Sequence, residues 1–243
     1  MPGLLQQIFG SKGLSRRSPP RLDRCFACHR STQHGVIFPE DGVGFCYSCF
    51  NTTPCSCCSL PCGQEHRRLS DGRVICTECY STALMTPRQL APMYDMALKF
   101  FRRQLKMKLK NTPRLKVVDS RFLTGLQCPP NTWGLYTDLD GDETIFILNG
   151  IAAEQSLIVL AHELTHYWQK FHGPKKQTME LFEGFAVWTA YKLAEQKGLN
   201  RAMLTIRRNG VEPYYTGLRK IWALERKKGV KATVRHARTQ PRL

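Results

Sequence analysis

Leu160-Ala-His-Glu-Leu-Thr-His166 decides how most of this chain folds. It lies in a segment where Leu157, Leu160, Ala161, Leu164, Trp168 and Phe171 recur at three- and four-residue spacing. A helix is therefore expected over 152–171, stopped by His172-Gly173-Pro174. Histidines four residues apart on a helix stand about 40° apart around its axis, so both imidazoles can reach one zinc ion. Glu163, beside His162, is placed to accept a proton from metal-bound water. The two histidines are expected to be set off from the apolar face.

Two histidines leave a metal short of protein ligands, and three residues compete for the third place. Glu183 is favoured. It lies in Leu181-Phe-Glu-Gly-Phe-Ala-Val-Trp188, within a second helix expected over 179–197, with Thr178 as N-cap and Gly198 as stop. A short connection makes that helix antiparallel to the first, so side chains of both can face one ion. Glu180 on the same helix is an alternative. His172 is another, but on an unbroken helix the six residues from His166 carry it about 240° around the axis.

Upstream, Lys116-Val-Val-Asp119 reads as a short strand. Thr132–Thr137 and Thr144–Leu148 flank the turn sequence Asp138-Leu-Asp-Gly-Asp142 and read as a hairpin. Apolar residues from Leu90 to Leu105 recur at helical spacing, so a helix is expected over 87–111, its other face carrying Lys99, Arg102, Arg103, Lys106, Lys108 and Lys110. A last helix is expected over 215–228, with a fraying basic tail beyond Gly229.

Cysteine organises the N-terminal part. Ten of the 11 cysteines lie between Cys25 and Cys79. Cys25-x-x-Cys28 is followed after 17 residues by Cys46-x-x-Cys49, and Cys55-x-x-Cys58 after 17 residues by Cys76-x-x-Cys79. A pair of thiolates two residues apart offers half a tetrahedron, and a second pair completes it. Two structural zinc sites are expected, one per four-cysteine unit. Each contributes on the order of 10 kcal/mol to folding a module poor in aliphatic residues. Sequential pairing within each unit is preferred to a cross-braced one. Cys57, Cys62, His29 and His66 are spare donors, with Cys57 the nearest substitute for Cys55 or Cys58.

Composition bounds the rest. The 243 residues carry 36 Lys and Arg against 19 acidic residues, a formal charge of +17. Two four-thiolate zinc sites lower that to about +13, still basic. Nucleic acid, acidic proteins and anionic membranes are compatible with that charge alone, but the bland reading of the basic stretches, a solvated helix face and a tail, is preferred. No apolar run approaches the roughly 20 residues needed to span a bilayer, and no membrane partner is expected. The first residues do not read as a signal peptide, so a reducing, cytoplasmic location is expected.

The fold class expected is α+β. A loose basic tail (1–24) precedes a LIM-like double-zinc module (25–84). A mainly helical zincin peptidase domain of gluzincin type with a short β-sheet (85–235) and a second basic tail (236–243) follow.

These parts in this order resemble the ubiquitin-activated peptidases that restrain organ growth in plants, the "DA-one" family. The residues that carry the resemblance are the double-zinc module, Asp71-Gly-Arg-Val-Ile-Cys76-Thr-Glu-Cys79, Leu160-Ala-His-Glu-Leu-Thr-His166 and Glu183-Gly184, with a C-terminal stretch around Tyr215-Thr-Gly-Leu-Arg219 and His236. Glu183-Gly-Phe-Ala186 is also similar to the segment of thermolysin-like aminopeptidases whose Glu binds zinc. The resemblance implies His162, His166 and Glu183 as ligands of a catalytic zinc, Glu163 as base, protein or peptide substrates, and ubiquitin or ubiquitin-pathway partners. Thermolysin-like enzymes place an Asp four residues after the third ligand to orient a histidine; Val187 stands there, which leaves no orienting residue identified. They also place a Tyr or His downstream of the third ligand to bind the oxyanion, a role for which Tyr215 or its neighbour Tyr214 is suited. Two further functions are weighed against a peptidase. One is a zinc-module adaptor for protein or nucleic acid with an inactive peptidase domain; the other is a DNA-associated protease.

Overall fold

The computed structural model describes residues 23–38, 42–139, 141–208 and 212–243. The N-terminal tail expected over 1–24 lies outside them except for Asp23 and Arg24. The chain divides into two compact units, one comprising most of the cysteine-rich segment with Gly150–Ala152, the other formed by Leu84–Asn149 and Ala153–Leu243. The architecture is α+β with small sheets.

The cysteine-rich unit is one motif made twice. Each copy opens on an isolated antiparallel bridge, Arg24 to Ser31 and then Pro54 to Pro61. Within each bridge a Cys-x-x-Cys knuckle turns through a left-handed residue, His29 or Ser59. A two-stranded hairpin follows: β1 (Val36–Phe38) with β2 (Val43–Phe45) in the first copy, β3 (His66–Arg68) with β4 (Val74–Cys76) in the second. Each hairpin delivers the second cysteine pair to a short helix, α1 (Tyr47–Phe50) or α2 (Thr77–Ser81), and β5 (Ala83–Leu84) follows. The first copy, with Leu60 of the second, packs a small core of Cys25, Phe45 and Cys49, with Phe26 and Phe38 edge-on to Phe45 at 5.7 and 5.6 Å. So little apolar area supports the reading that metal holds the unit together. Strand β9 (Ile151–Ala152) belongs to this unit, where the Ala152 N–H donates to Cys57 Sγ at 3.3 Å.

The larger unit begins with α3 (Pro87–Phe100), whose N-terminus carries a capping box between Thr86 and Gln89, a device worth about 1 kcal/mol. The helix expected to reach 111 ends sooner. A π-helical turn over Phe101–Leu105 shifts the register so that Phe100, Phe101 and Leu105 are all buried, and Lys106, at φ 55°, stops it. Strand β6 (Arg114–Val118) follows, then α4 (Ser120–Gly125), capped by Asp119, whose Oδ1 accepts from the Phe122 N–H at 2.9 Å. The expected hairpin forms as β7 (Gly134–Leu139) and β8 (Asp142–Leu148). The sheet order is β6-β8-β7, with β6 parallel and β7 antiparallel to β8, so β7 is an edge strand.

Four helices complete this unit: α5 (Ala153–His172), α6 (Met179–Lys197), α7 (Asn200–Arg208) and α8 (Tyr214–Thr239). Thr178 caps α6 and Gly198, at φ 65°, ends it, as expected. α5 is not amphipathic: every residue from Ser156 to Gln169 is buried, the two histidines included. The C-terminal stretch corrects the expectation of a fraying tail. Helix α8 kinks at Gly229, with φ 79°, and continues to Thr239, burying Thr233 and Ala237. Gln177 Nε2 donates to Ala237 O, and the Thr178 N–H donates to Pro241 O. Among the described residues, no helix is long and apolar enough to cross a membrane.

Candidate metal centre

Helix α5 presents His162 and His166 one turn apart, with their Nε2 atoms 2.9 Å from each other. Glu183 Oε2, from α6, stands 3.3 Å from both. All three side chains are buried, at 2%, 9% and 4% exposure. Ligand atoms about 2.0–2.1 Å from a tetrahedral zinc lie about 3.3 Å apart, so this triangle has the dimensions of one face of a zinc site. The donor set of two imidazoles and a carboxylate also suits zinc.

Glu183 and His166 favour each other's charged form. Burial would raise the Glu183 carboxyl, but His166 and His162 hold it well below the usual carboxylate range. Burial would likewise lower His166, yet the carboxylates of Glu183 and Glu163 and the Gln169 side chain bring it above the usual histidine value. Glu180 and His172, the competing third ligands, are elsewhere. Glu180 pairs with Lys220 at 2.6 Å on the surface, and His172 packs on Trp168.

The backbone explains why glycine follows Glu183. A Cβ on Gly184 would come within 2.9 Å of Gly217 O, and one on Gly217 would come within 2.8 Å of Gly184 Cα. Helices α6 and α8 thus cross backbone to backbone beside Glu183. That crossing brings the start of α8 to the centre, where the buried Tyr214 ring stacks on His162 at 6.2 Å between centroids. Tyr215 instead lies under the Arg219 guanidinium at 5.5 Å. On the other side, the Tyr136 N–H of edge strand β7 donates to Glu163 Oε2 at 2.8 Å.

Sequence reasoning missed one residue that touches a histidine of the centre. Gln169 Oε1 meets His166 Nδ1 at 3.0 Å, and Gln169 Nε2 donates to Phe182 O at 3.0 Å. The spacing of three residues on one helix is the only signal for it in the sequence. Among the described residues, His162 Nδ1 has no hydrogen-bond partner.

In the cysteine-rich unit the sulfurs converge as two groups, Cys25, Cys28, Cys46 and Cys49, and Cys55, Cys58, Cys76 and Cys79. Within each group the four sulfurs lie within 4.8 Å of one another. Burial pushes the Cys25 thiol up, but backbone N–H groups of Cys28, Cys46 and Ala27 outweigh it and bring it down to about 6. Such a thiol is ready to ligate as thiolate. Cys57, Cys62, His29 and His66 fall outside both groups.

Two adjacent four-cysteine groups fit a LIM-like module, and the chain's similarities agree with that class. The chain is 25% identical to Protein DA1 of Arabidopsis thaliana over 223 residues, covering 72% of this chain and 42% of that protein. It is 22% identical to LIM domain-containing protein HDR3 of Oryza sativa subsp. japonica over 225 residues, covering 73% of this chain and 45% of that protein. The chain therefore spans less than half the length of these curated relatives. No protein-family model and no solved structure matches it.

Proposed function

We propose that this chain is a zinc-dependent endopeptidase of the gluzincin type, joined to a LIM-like module that recognises substrate or partner. The observation that carries the reading is the buried triangle of His162 Nε2, His166 Nε2 and Glu183 Oε2 at 2.9, 3.3 and 3.3 Å, with the Glu163 carboxylate beside it. These three residues would hold one catalytic zinc, and the two four-cysteine groups one structural zinc each. When bound, such an ion would polarise a scissile carbonyl and lower the pKa of a bound water toward about 7.

The chain's own residues supply the rest. Glu163 accepts the water proton and passes it to the leaving amine. The hydrogen bond from Tyr136 N–H fixes one carboxylate oxygen and leaves the other for that proton. The Tyr214 ring against His162, with Tyr215 under Arg219, supports Tyr214 as the donor of a hydrogen bond to an oxyanion. The register of β7 explains how substrate is held. The Leu148 N–H donates to Trp133 O, so the inward-bonded positions of β7 alternate from Trp133, and Gly134, Tyr136 and Asp138 turn their backbone groups away from β8, the Tyr136 N–H to Glu163 and the others to the free edge. An extended peptide added there lies along the centre as a further strand. The family resemblance extends the proposal to ubiquitin-pathway proteins as substrates or partners.

Glu163→Gln tests the reading. It should retain the metal and lose cleavage of an unfolded, fluorescently labelled casein by several orders of magnitude. Cleavage at the wild-type rate would refute the peptidase. Absence of cleavage by wild-type protein with full zinc would favour the adaptor.

A further inference from the structure

His166 is gripped from both ends of its ring. Its Nε2 faces His162 and Glu183, while its Nδ1 meets Gln169 Oε1. The amide of Gln169 has only one orientation that satisfies both its neighbours. Phe182 O is an acceptor, so the NH₂ end must face it, and the carbonyl end must then face His166. A carbonyl oxygen donates nothing, so the proton between Gln169 and His166 sits on Nδ1. A neutral imidazole with its proton on Nδ1 keeps its lone pair on Nε2, the atom aimed at Glu183 and His162. Gln169 is 3% exposed, so water does not compete for the bond. The Phe182 ring, stacked 4.3 Å from the imidazole and 16° from its plane, limits tilting of the ring.

We infer that Gln169 is the positioning residue of this centre: it sets the tautomer and ring plane of His166 from an anchor on the backbone of α6. The anchor, Phe182 O, is one residue before Glu183. One amide therefore ties the helix that carries both histidines to the helix that carries the carboxylate. The proposed zinc site enters only through the consequence for metal affinity, because the proton on Nδ1 belongs to the metal-free protein as well. An amide that merely satisfied Phe182 O would affect stability and leave the tautomer alone.

The test uses the full chain after removal of the labile metal by a mild chelator. Long-range proton–nitrogen correlation reads the ring nitrogens, with His166 assigned by the signals lost in His166→Asn. At a pH alkaline enough to leave the ring neutral, wild type should show the Nδ1–H tautomer. Gln169→Met, which fills similar volume without an acceptor, should move His166 toward the Nε2–H form that free histidine prefers. Its zinc affinity, read by competition with a chromophoric chelator, should fall about 10- to 100-fold. Gln169→Glu keeps the acceptor and drops the donor, so it should retain the tautomer while lowering the melting temperature. If Gln169→Met does not fold, wild type and Gln169→Glu carry the test. An Nε2–H tautomer in wild type, or Gln169→Met with wild-type tautomer and affinity, overturns the inference. A wild type that binds no zinc at these residues but holds the Nδ1–H tautomer refutes the zinc site and leaves the role of Gln169 standing.

Discussion

The Tyr136 backbone N–H donates to Glu163 Oε2 at 2.8 Å, joining the free edge of β7 to the acid beside the two histidines. Strand and acid are therefore set by one bond, and whatever moves β7 moves the Glu163 carboxylate. Lys170 reinforces the arrangement. It reaches from α5 to Asp138 at 2.8 Å and Glu143 at 2.6 Å on the hairpin, and Tyr136 OH bonds Glu143.

Gly134 permits this approach. A Cβ there would overlap Val159 Cγ1 and stand 3.1 Å from Glu163 Cγ and Oε1. Gly134→Ala should therefore keep zinc content and lower turnover about 100-fold, the effect of an ångström-scale misplacement. Metal analysis beside a peptide-cleavage assay checks it, and unchanged turnover would contradict it.

The α6–α8 crossing makes a stability prediction. Gly184→Ala meets backbone rather than a flexible side chain, so the helices must separate. Overpacking of this kind costs about 1–3 kcal/mol. Chemical denaturation of Gly184→Ala and Gly217→Ala should each show a loss of that size, together with displaced Tyr214.

The two tyrosines separate by hydroxyl removal. Tyr214→Phe should keep fold and metal and lower turnover about 100- to 1,000-fold, the usual effect of losing one oxyanion donor. Tyr215→Phe, whose ring lies with Arg219, should stay within a few-fold of wild type. Equal, small effects at both positions would remove tyrosine from the proposed mechanism.

Protons compete with the metal. Zinc needs neutral His166, and in the metal-free protein that ring holds its proton above the usual value of about 6.5. Apparent zinc affinity should therefore keep rising with pH past the ordinary histidine range before it levels. For stability without metal, the raised His166 contributes fully below its unfolded pKa and loses its contribution as pH rises through the folded one. The lowered Glu183 contributes above its unfolded pKa, about 4.3, and loses its contribution as pH falls through the folded one. Melting curves should show the metal-free protein weakening toward alkaline pH while the zinc-loaded protein does not. An affinity flat above pH 6 would contradict the arrangement.

Much of this was legible because the signals are local. Spacing alone predicts the two four-cysteine groups, the β7–β8 hairpin and the helices bearing His162 and Glu183. What stayed hidden depends on partners distant in sequence. Gly229 reads as a stop, but Thr233 Oγ1 bonds Gly229 O and Ala237 is buried, so the helix resumes. The π turn after α3 lets both Phe100 and Phe101 be buried, which helical periodicity does not express. Gln169 reveals its role only through Phe182 O on another helix.

Metal counting by native mass spectrometry tests the central claim most directly. Among the described residues, three groups of side chains of metal-ligand type converge. Wild type should carry three zinc ions, and Glu183→Gln, folded to the same extent, should carry two and lose peptide cleavage. Two ions in both proteins, with the cysteines fully reduced, would show that His162, His166 and Glu183 hold no metal and would contradict the account.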